Sequence, residues 1–308
     1  MINDLIKSLT KFSAYNSHTN VYGFARSFFA LSTLLTFLIN PNNVLFPETD
    51  GATSYDMVYT SIFKEINLFI ILGEHMILAK LIAIVILVLV LIGIYPRYTV
   101  ILHWWVASSF LLLSPAVEGG DQLIAIMTLL FIPIGLTDGR KWHWSVSDQQ
   151  IKNPHVRFVV NSFYIVARIQ MFILYLQAAI GKLAVDEWTN GTVLYYWFED
   201  NIFGLNENFK SVFLPLMSNF YVVSLLTYSV LLLEFALALA FVMDEKKRKI
   251  FLYLGVFFHF CIWFVHGLPT FFITMTGALI LYIIPFYRHI DTDRLAKLFT
   301  RKPKKQYV

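Results

Sequence analysis

The sequence predicts an all-α polytopic membrane protein of about eight transmembrane helices with both termini cytosolic. Three observations carry this expectation. Of 308 residues, 57% are apolar and only 14% charged, against about a quarter charged in an ordinary soluble domain. Apolar runs near the roughly 20 residues that cross a bilayer recur along the whole chain. Basic residues gather in alternate connections between those runs, as cytosolic loops require.

Residues 1–20 are polar and weakly amphipathic, and the first apolar run, 21–39, follows without a small-residue cleavage signature, so it reads as a retained span. The next runs are 77–95, 98–114 and 121–137, the last two divided by Pro115 and the acidic turn "VEGGD". Then come 157–181, 218–243, 250–266 and 268–287, the last pair separated by His266-Gly267 and Pro269. "INLFIILGEHM" before the second span reads as an interfacial or re-entrant helix or an early start to that span. The chain forms a single membrane domain, 1–308, ending in a basic cytosolic tail at 288–308.

With the N-terminus inside, the cytosolic segments hold Lys7, Lys11, Arg97, Arg140, Lys141, Lys152, Arg157, Lys246 to Lys249, and seven basic residues from Arg288 onward. That is 18 of the 24 lysines and arginines, against Lys64, Lys182 and Lys210 outside. The acidic residues Glu48, Asp50, Asp56, Glu65, Glu118, Asp186, Glu187, Glu199, Asp200 and Glu207 fall on the outer side. The net charge of +4 is therefore a matter of membrane topology and lipid contact, and no nucleic-acid partner is expected.

Cys261 is the single cysteine, which excludes an internal disulfide or a cysteine metal cluster. No P-loop, dinucleotide fingerprint or HExxH motif occurs, and no metal site is expected. "GRKWHW", at 139–144, reads as a cytosolic loop touching lipid headgroups.

Charged groups inside a span cost about 2.5–3.5 kcal/mol on insertion scales and so face protein or water. Arg26, Arg168, Glu234 and His259 are such groups, and an Arg168–Glu234 ion pair is one purely structural reading. At the external boundary, Glu74, His75, Asp121, Lys182, Asp186, Glu187 and His266 converge. Lys182 closes the fifth span in "AIGKLAVDEWTNG". If helix continues through 179–188, Lys182 and Asp186 lie one turn apart on one face, with Trp188 on another. Apolar walls would make this lysine a base near neutrality, whereas a neighbouring carboxylate would keep it an ion-pair partner. Both readings stand at this point.

Lys182, followed by Trp188 and Gly191 after an apolar span, resembles the motif of the horizontally transferred transmembrane domain shared with vitamin K-dependent gamma-glutamyl carboxylases. Gly120-Asp121, Glu234 and His259 are partial agreements. "NVYGFARSFFALSTLLTFLINPNNVLF", 20–46, is similar to the opening of the sporulation-delaying protein B family, and the similarity runs through most of the chain. That resemblance implies a multipass factor which, with a small sporulation-delaying protein A-like partner, matures an exported antimicrobial peptide toxin from its precursor. The carboxylase likeness implies a lysine base acting on a quinone. The chain ends soon after the eighth span, so the carboxylase's large lumenal domain is expected to be absent.

The leading expectation is a bacterial cell-membrane factor that modifies or presents the peptide precursor at the outer face. The alternatives are a lysine-base, quinone-dependent enzyme of another substrate, and a non-catalytic scaffold or transporter. Lys182, His259, Asp121 and Arg168 are the candidate catalytic residues. Trp188, His266 and Glu234 are the candidate contacts for a cofactor whose identity the sequence leaves unknown.

Overall fold

The computed structural model describes residues 2–47, 62–145, 151–201 and 203–291. The outer-loop acids Glu48, Asp50 and Asp56, and the basic tail beyond 291, lie outside the described residues. The described chain is helical throughout, apart from one isolated bridge between Ile94 and Trp142.

The chain begins with α1 (Ile2–Ala14), the long α2 (Asn20–Ile39) and the short α3 (Asn42–Leu45). Two single turns, α4 (Ile62–Glu65) and α5 (Leu68–Ile71), lead through a tight 3₁₀ turn at Gly73–His75 into α6 (Met76–Ile92). Next come α7 (Pro96–Leu113), α8 (Gly119–Leu136) and α9 (Pro154–Lys182). The connection after α9 carries α10 (Asp186–Thr189), α11 (Val193–Glu199) and α12 (Glu207–Met217). The chain then forms α13 (Phe220–Leu239), α14 (Glu245–His266) and α15 (Pro269–Ile283).

Six of these segments, Asn20–Ile39, Gly73–Ile92, Gly119–Leu136, Pro154–Lys182, Phe220–Leu239 and Glu245–His266, are long and apolar enough to cross a membrane. The fold class is therefore that of an all-α polytopic membrane protein. The apolar stretch before the second span resolves as α5, whose Leu68 and Phe69 are buried and whose Asn67 side chain caps the turn through the amides of Phe69 and Ile70. Charged residues at 245–249 belong to α14, because Asp244 caps that helix through the Lys247 amide and draws the basic run into its first turns.

Helix ends follow local chemistry. Pro96, Pro154 and Pro269 occupy first-turn positions, where the missing amide hydrogen is no loss. Gly93 (φ +91) and Gly267 (φ +67) close α6 and α14 in the left-handed conformation.

Side-chain bonds tie together the basic connections at one end of the bundle. Thr19 donates to the Phe286 carbonyl oxygen at 2.5 Å, and His18 reaches the Ile134 carbonyl oxygen and the Thr137 hydroxyl. Arg157 donates to the Ser13 carbonyl oxygen. At the other end, Thr270 donates to Glu118 at 2.7 Å, and Ser114 donates to the Leu45 carbonyl oxygen at 2.6 Å.

The 139–144 stretch departs from the expected headgroup loop. His143 is completely buried, slotted against Gly23 and Gly93, where an added Cβ would come within 2.9 Å and 2.5 Å of its ring. Burial of the imidazole is compensated by bonding. Ser27 donates to the Leu91 carbonyl oxygen at 2.8 Å and faces His143 Nε2 at 3.2 Å, while Arg26 Nη1 faces His143 Nδ1 at 3.4 Å. Nε2 therefore carries the proton and Nδ1 accepts. Arg26, also fully buried, donates to the Thr99 hydroxyl at 2.9 Å. Asp138 and Arg140 form a second buried pair at 2.7 Å.

Desolvation holds His143 at a pKa of about 2, reinforced by Arg26 and Arg140, and burial lowers that of His18 below 6.5. The unfolded chain therefore takes up protons that the folded chain refuses. Stability is retained above pH 6.5 and falls as pH drops below it, by about 1.4 kcal/mol per pH unit for the one proton His143 refuses, with His18 adding in the same direction. Thermal unfolding in detergent between pH 7.5 and 5.0 should show the midpoint dropping, with a shallower fall in His143→Gln; equal slopes would contradict this assignment.

Candidate functional site

Lys182 is the last residue of α9, and its side chain leans back along the helix so that Nζ donates to the Ala178 carbonyl oxygen at 3.3 Å. Glu234 leans from α13, which packs against α9. Side chains on a helix tilt toward its N-terminus, so on antiparallel neighbours these two converge from different levels. Nζ meets both carboxylate oxygens, at 2.8 and 2.7 Å. Glu234 is 5% exposed.

The helix does not continue from 179 to 188 as the spacing allowed. Val185, in extended conformation, breaks it, and Asp186 starts the separate α10. This returns the chain over α13, bringing the Trp188 ring centroid 5.2 Å from Nζ in a cation–π arrangement. Trp188 is buried against Val193 and Leu231. Gly191 (φ +80) permits the return, since a Cβ there would lie 2.9 Å from Ser224 Oγ.

Below the ion pair, Tyr175 and His259 share a buried hydrogen bond of 3.0 Å between the phenol and Nε2. His259 Nδ1 has no partner among the described residues. One turn earlier on α14, Gly255 allows close packing, because a Cβ there would touch Leu279 at 2.9 Å and Leu237 at 3.2 Å. Tyr175 precedes Lys182 by seven residues, hence on the same face of α9. Sequence reasoning passed over this tyrosine, although the seven-residue spacing from Lys182 would have marked it.

The structure brings together Lys182, Glu234, His259 and Trp188 and sets the other candidates elsewhere. Arg168 lies 14 residues before Lys182 on a straight helix, about 21 Å along its axis. There it donates to the Tyr282 carbonyl oxygen at 3.0 Å and stacks 5.4 Å from the Phe241 ring centroid. An Arg168–Glu234 pair is thus replaced by Lys182–Glu234, since Arg168 sits beside the final turn of α15. Asp121 accepts the Glu118 amide at 3.0 Å in a capping box of α8. His266 donates to the Phe203 carbonyl oxygen at 2.6 Å and meets the Trp197 ring edge to face. Asp186 is exposed and heads α10. Glu74 and His75 belong to the turn leading into α6, which packs on α2 and α7.

An apolar cavity of about 400 Å³ lies between α11, α12, α13 and α14, with Phe198, Phe213, Leu233, Phe258, Cys261 and His266 in its wall. On α13, residues 226, 229, 230 and 233 face this cavity, while Glu234 faces α9. The two features occupy neighbouring sides of one helix. No cluster of three or more potential metal ligands occurs among the described residues.

A multipass helical bundle in which the Lys182–Glu234 ion pair and a tyrosine–histidine bond lie beside an apolar cavity defines the class: an integral membrane protein with buried polar contacts between its helices. The chain belongs to the sporulation-delaying protein B family. It is 34% identical over 92% of its length to sporulation-delaying protein SdpB of Bacillus subtilis (strain 168), covering 87% of that protein. It is also 35% identical over 99% of its length to the uncharacterized protein YitO of the same organism, covering 98% of that protein. No family model matches, and no solved structure matches.

Replacing either member of the pair leaves the other charge uncompensated. Lys182→Met and Glu234→Leu are each expected to cost about 2 kcal/mol, with the double variant costing less than their sum. Denaturant unfolding of the four proteins in detergent measures this; strict additivity would deny the coupling.

Proposed function

We propose that this chain is a bacterial cell-membrane factor in the maturation of an exported antimicrobial peptide, receiving the precursor at the end of the bundle where Lys182 lies. Family membership supports the biological role. The observation that carries the site is the bidentate contact of Lys182 with Glu234, above Tyr175–His259 and beside the apolar cavity. The lysine is paired with a carboxylate at 2.7 Å. A peptide carbonyl or carboxylate takes over the N–H that Lys182 gives to the Ala178 carbonyl oxygen, while the cavity takes apolar side chains, so this end of the bundle presents the precursor. A small partner of the sporulation-delaying protein A kind would complete the receiving surface. Eight crossings, with the basic end in the cytosol, are part of this proposal.

A second reading, modification of the precursor by a lysine base, follows from the same bidentate contact, in which Glu234 is placed to take a proton from Nζ. No cofactor is assigned.

The two readings separate on Lys182→Arg, which keeps the charge but does not yield a neutral base. Coexpressed with precursor and partner, Lys182→Ala is expected to reach the membrane at normal level and yield no mature peptide by mass spectrometry. Lys182→Arg retains maturation if this end of the bundle presents the precursor, and loses it if the lysine acts as a base. Normal maturation by Lys182→Ala would end both readings.

A further inference from the structure

The first helix, α1, is held to the bundle by its last turn. Phe12 packs edge to face on Phe158 of α9 with ring centroids 5.5 Å apart, and Asn161 of α9 donates to the carbonyl oxygens of Phe12 and Tyr15 at 2.8 and 3.3 Å. Arg157 reaches the Ser13 carbonyl oxygen in the same turn. Ahead of that clamp the helix stands clear: Asn3, Asp4 and residues 6–11 are exposed, Ile6 at 55% and Leu9 at 43% among them. A helix of 13 residues is marginal in water by itself, so its free turns need a surface to lie on.

The residues around the helix describe that surface. By helical periodicity Ile6, Leu9 and Phe12 share one face, while Asn3, Lys7 and Lys11 share the opposite one. The apolar face continues through Phe12 onto the flank of α9, where Val156, Phe158 and Val159 are exposed at the start of a helix long and apolar enough to cross a membrane. Beside the clamp Tyr15 stacks on Tyr287 with centroids 4.1 Å apart, an aromatic pair of the kind that collects at the water–lipid boundary. The helix is too short to cross, and lysines set opposite an apolar face are the mark of a helix lying in the plane of an anionic leaflet.

We propose that α1 lies flat in the headgroup layer of an anionic phospholipid leaflet, with Ile6 and Leu9 turned into the acyl chains and Lys7 and Lys11 on the phosphate side. Full-length protein in nanodiscs of phosphatidylcholine, with or without phosphatidylglycerol, tests this. In a Cys261→Ala background a spin label is attached at Leu9→Cys or at Lys7→Cys, and its collisions with oxygen and with a water-soluble nickel chelate are compared. The label at position 9 should favour oxygen, and the label at position 7 the chelate. In unlabelled wild type, phosphatidylglycerol should slow tryptic cleavage after Lys7 and Lys11 about 25-fold, roughly fivefold for each lysine, because cleavage follows the fraction of helix lifted off the lipid.

Chelate access at position 9 equal to that at position 7 would leave α1 in water and overturn the proposal. Shielding of position 9 from both reagents also overturns it, and assigns the apolar face to a protein surface. Cleavage at one rate in both nanodiscs removes the anionic headgroup, and the proposal with it. That measurement uses wild type, so it decides the matter even where a labelled variant does not fold.

Discussion

A lysine ammonium taken into the low-dielectric interior of a helical bundle is tolerated only where a carboxylate and further hydrogen-bond acceptors meet it. Here the terminal residue of α9 is met by Glu234 of α13 and by the carbonyl oxygen of Ala178. The rest of the site follows from that requirement. Ending α9 at Lys182 allows the chain to double back through α10, and doubling back seats Trp188 against the ammonium and Leu231 of α13. The turn in turn needs Gly191, whose backbone passes so close to Ser224 that no side chain fits. A single electrostatic constraint thus fixes the path of the connection that leads into α11 and the cavity.

The opposite end is organised differently. There buried Arg26 is met by Thr99 and by an unprotonated histidine nitrogen, and His143 by Ser27 in a slot between two glycines. An imidazole that must remain neutral to fit makes this end acid-sensitive. Lys182 and Glu234 instead form an ion pair in which the lysine side chain is 23% exposed.

Much of this was legible in the residues. Apolar runs of bilayer length, with basic connections alternating between them, specify a helical membrane bundle because lipid forbids unsatisfied backbone. Pro115, Pro269 and Gly267 mark breaks that the structure keeps, since proline cannot continue a helix and glycine alone turns left-handed freely. Lys182, Glu234, His259 and Trp188 stood out as polar or amphipathic groups in apolar surroundings. Their pairing did not, because partners on different helices depend on relative level, and level depends on where each helix starts. Arg168 was matched with Glu234 because both lie within spans. Yet α9 runs for 29 residues, and Arg168, midway along it, reaches only the ends of α13 and α15. His143 was hidden for a related reason: a Trp-His-Trp loop looks superficial unless the glycines that admit it, Gly23 at a separation of 120 residues and Gly93 at 50, are known to face it.

The geometry of α13 joins these strands of argument. Residues 226, 229, 230 and 233 line the apolar cavity, and Glu234 is one step around the same helix, holding Lys182. Tyr175 and His259 flank the same contact from α9 and α14. One stretch of α13 therefore supplies both the apolar wall and the carboxylate that holds the amine.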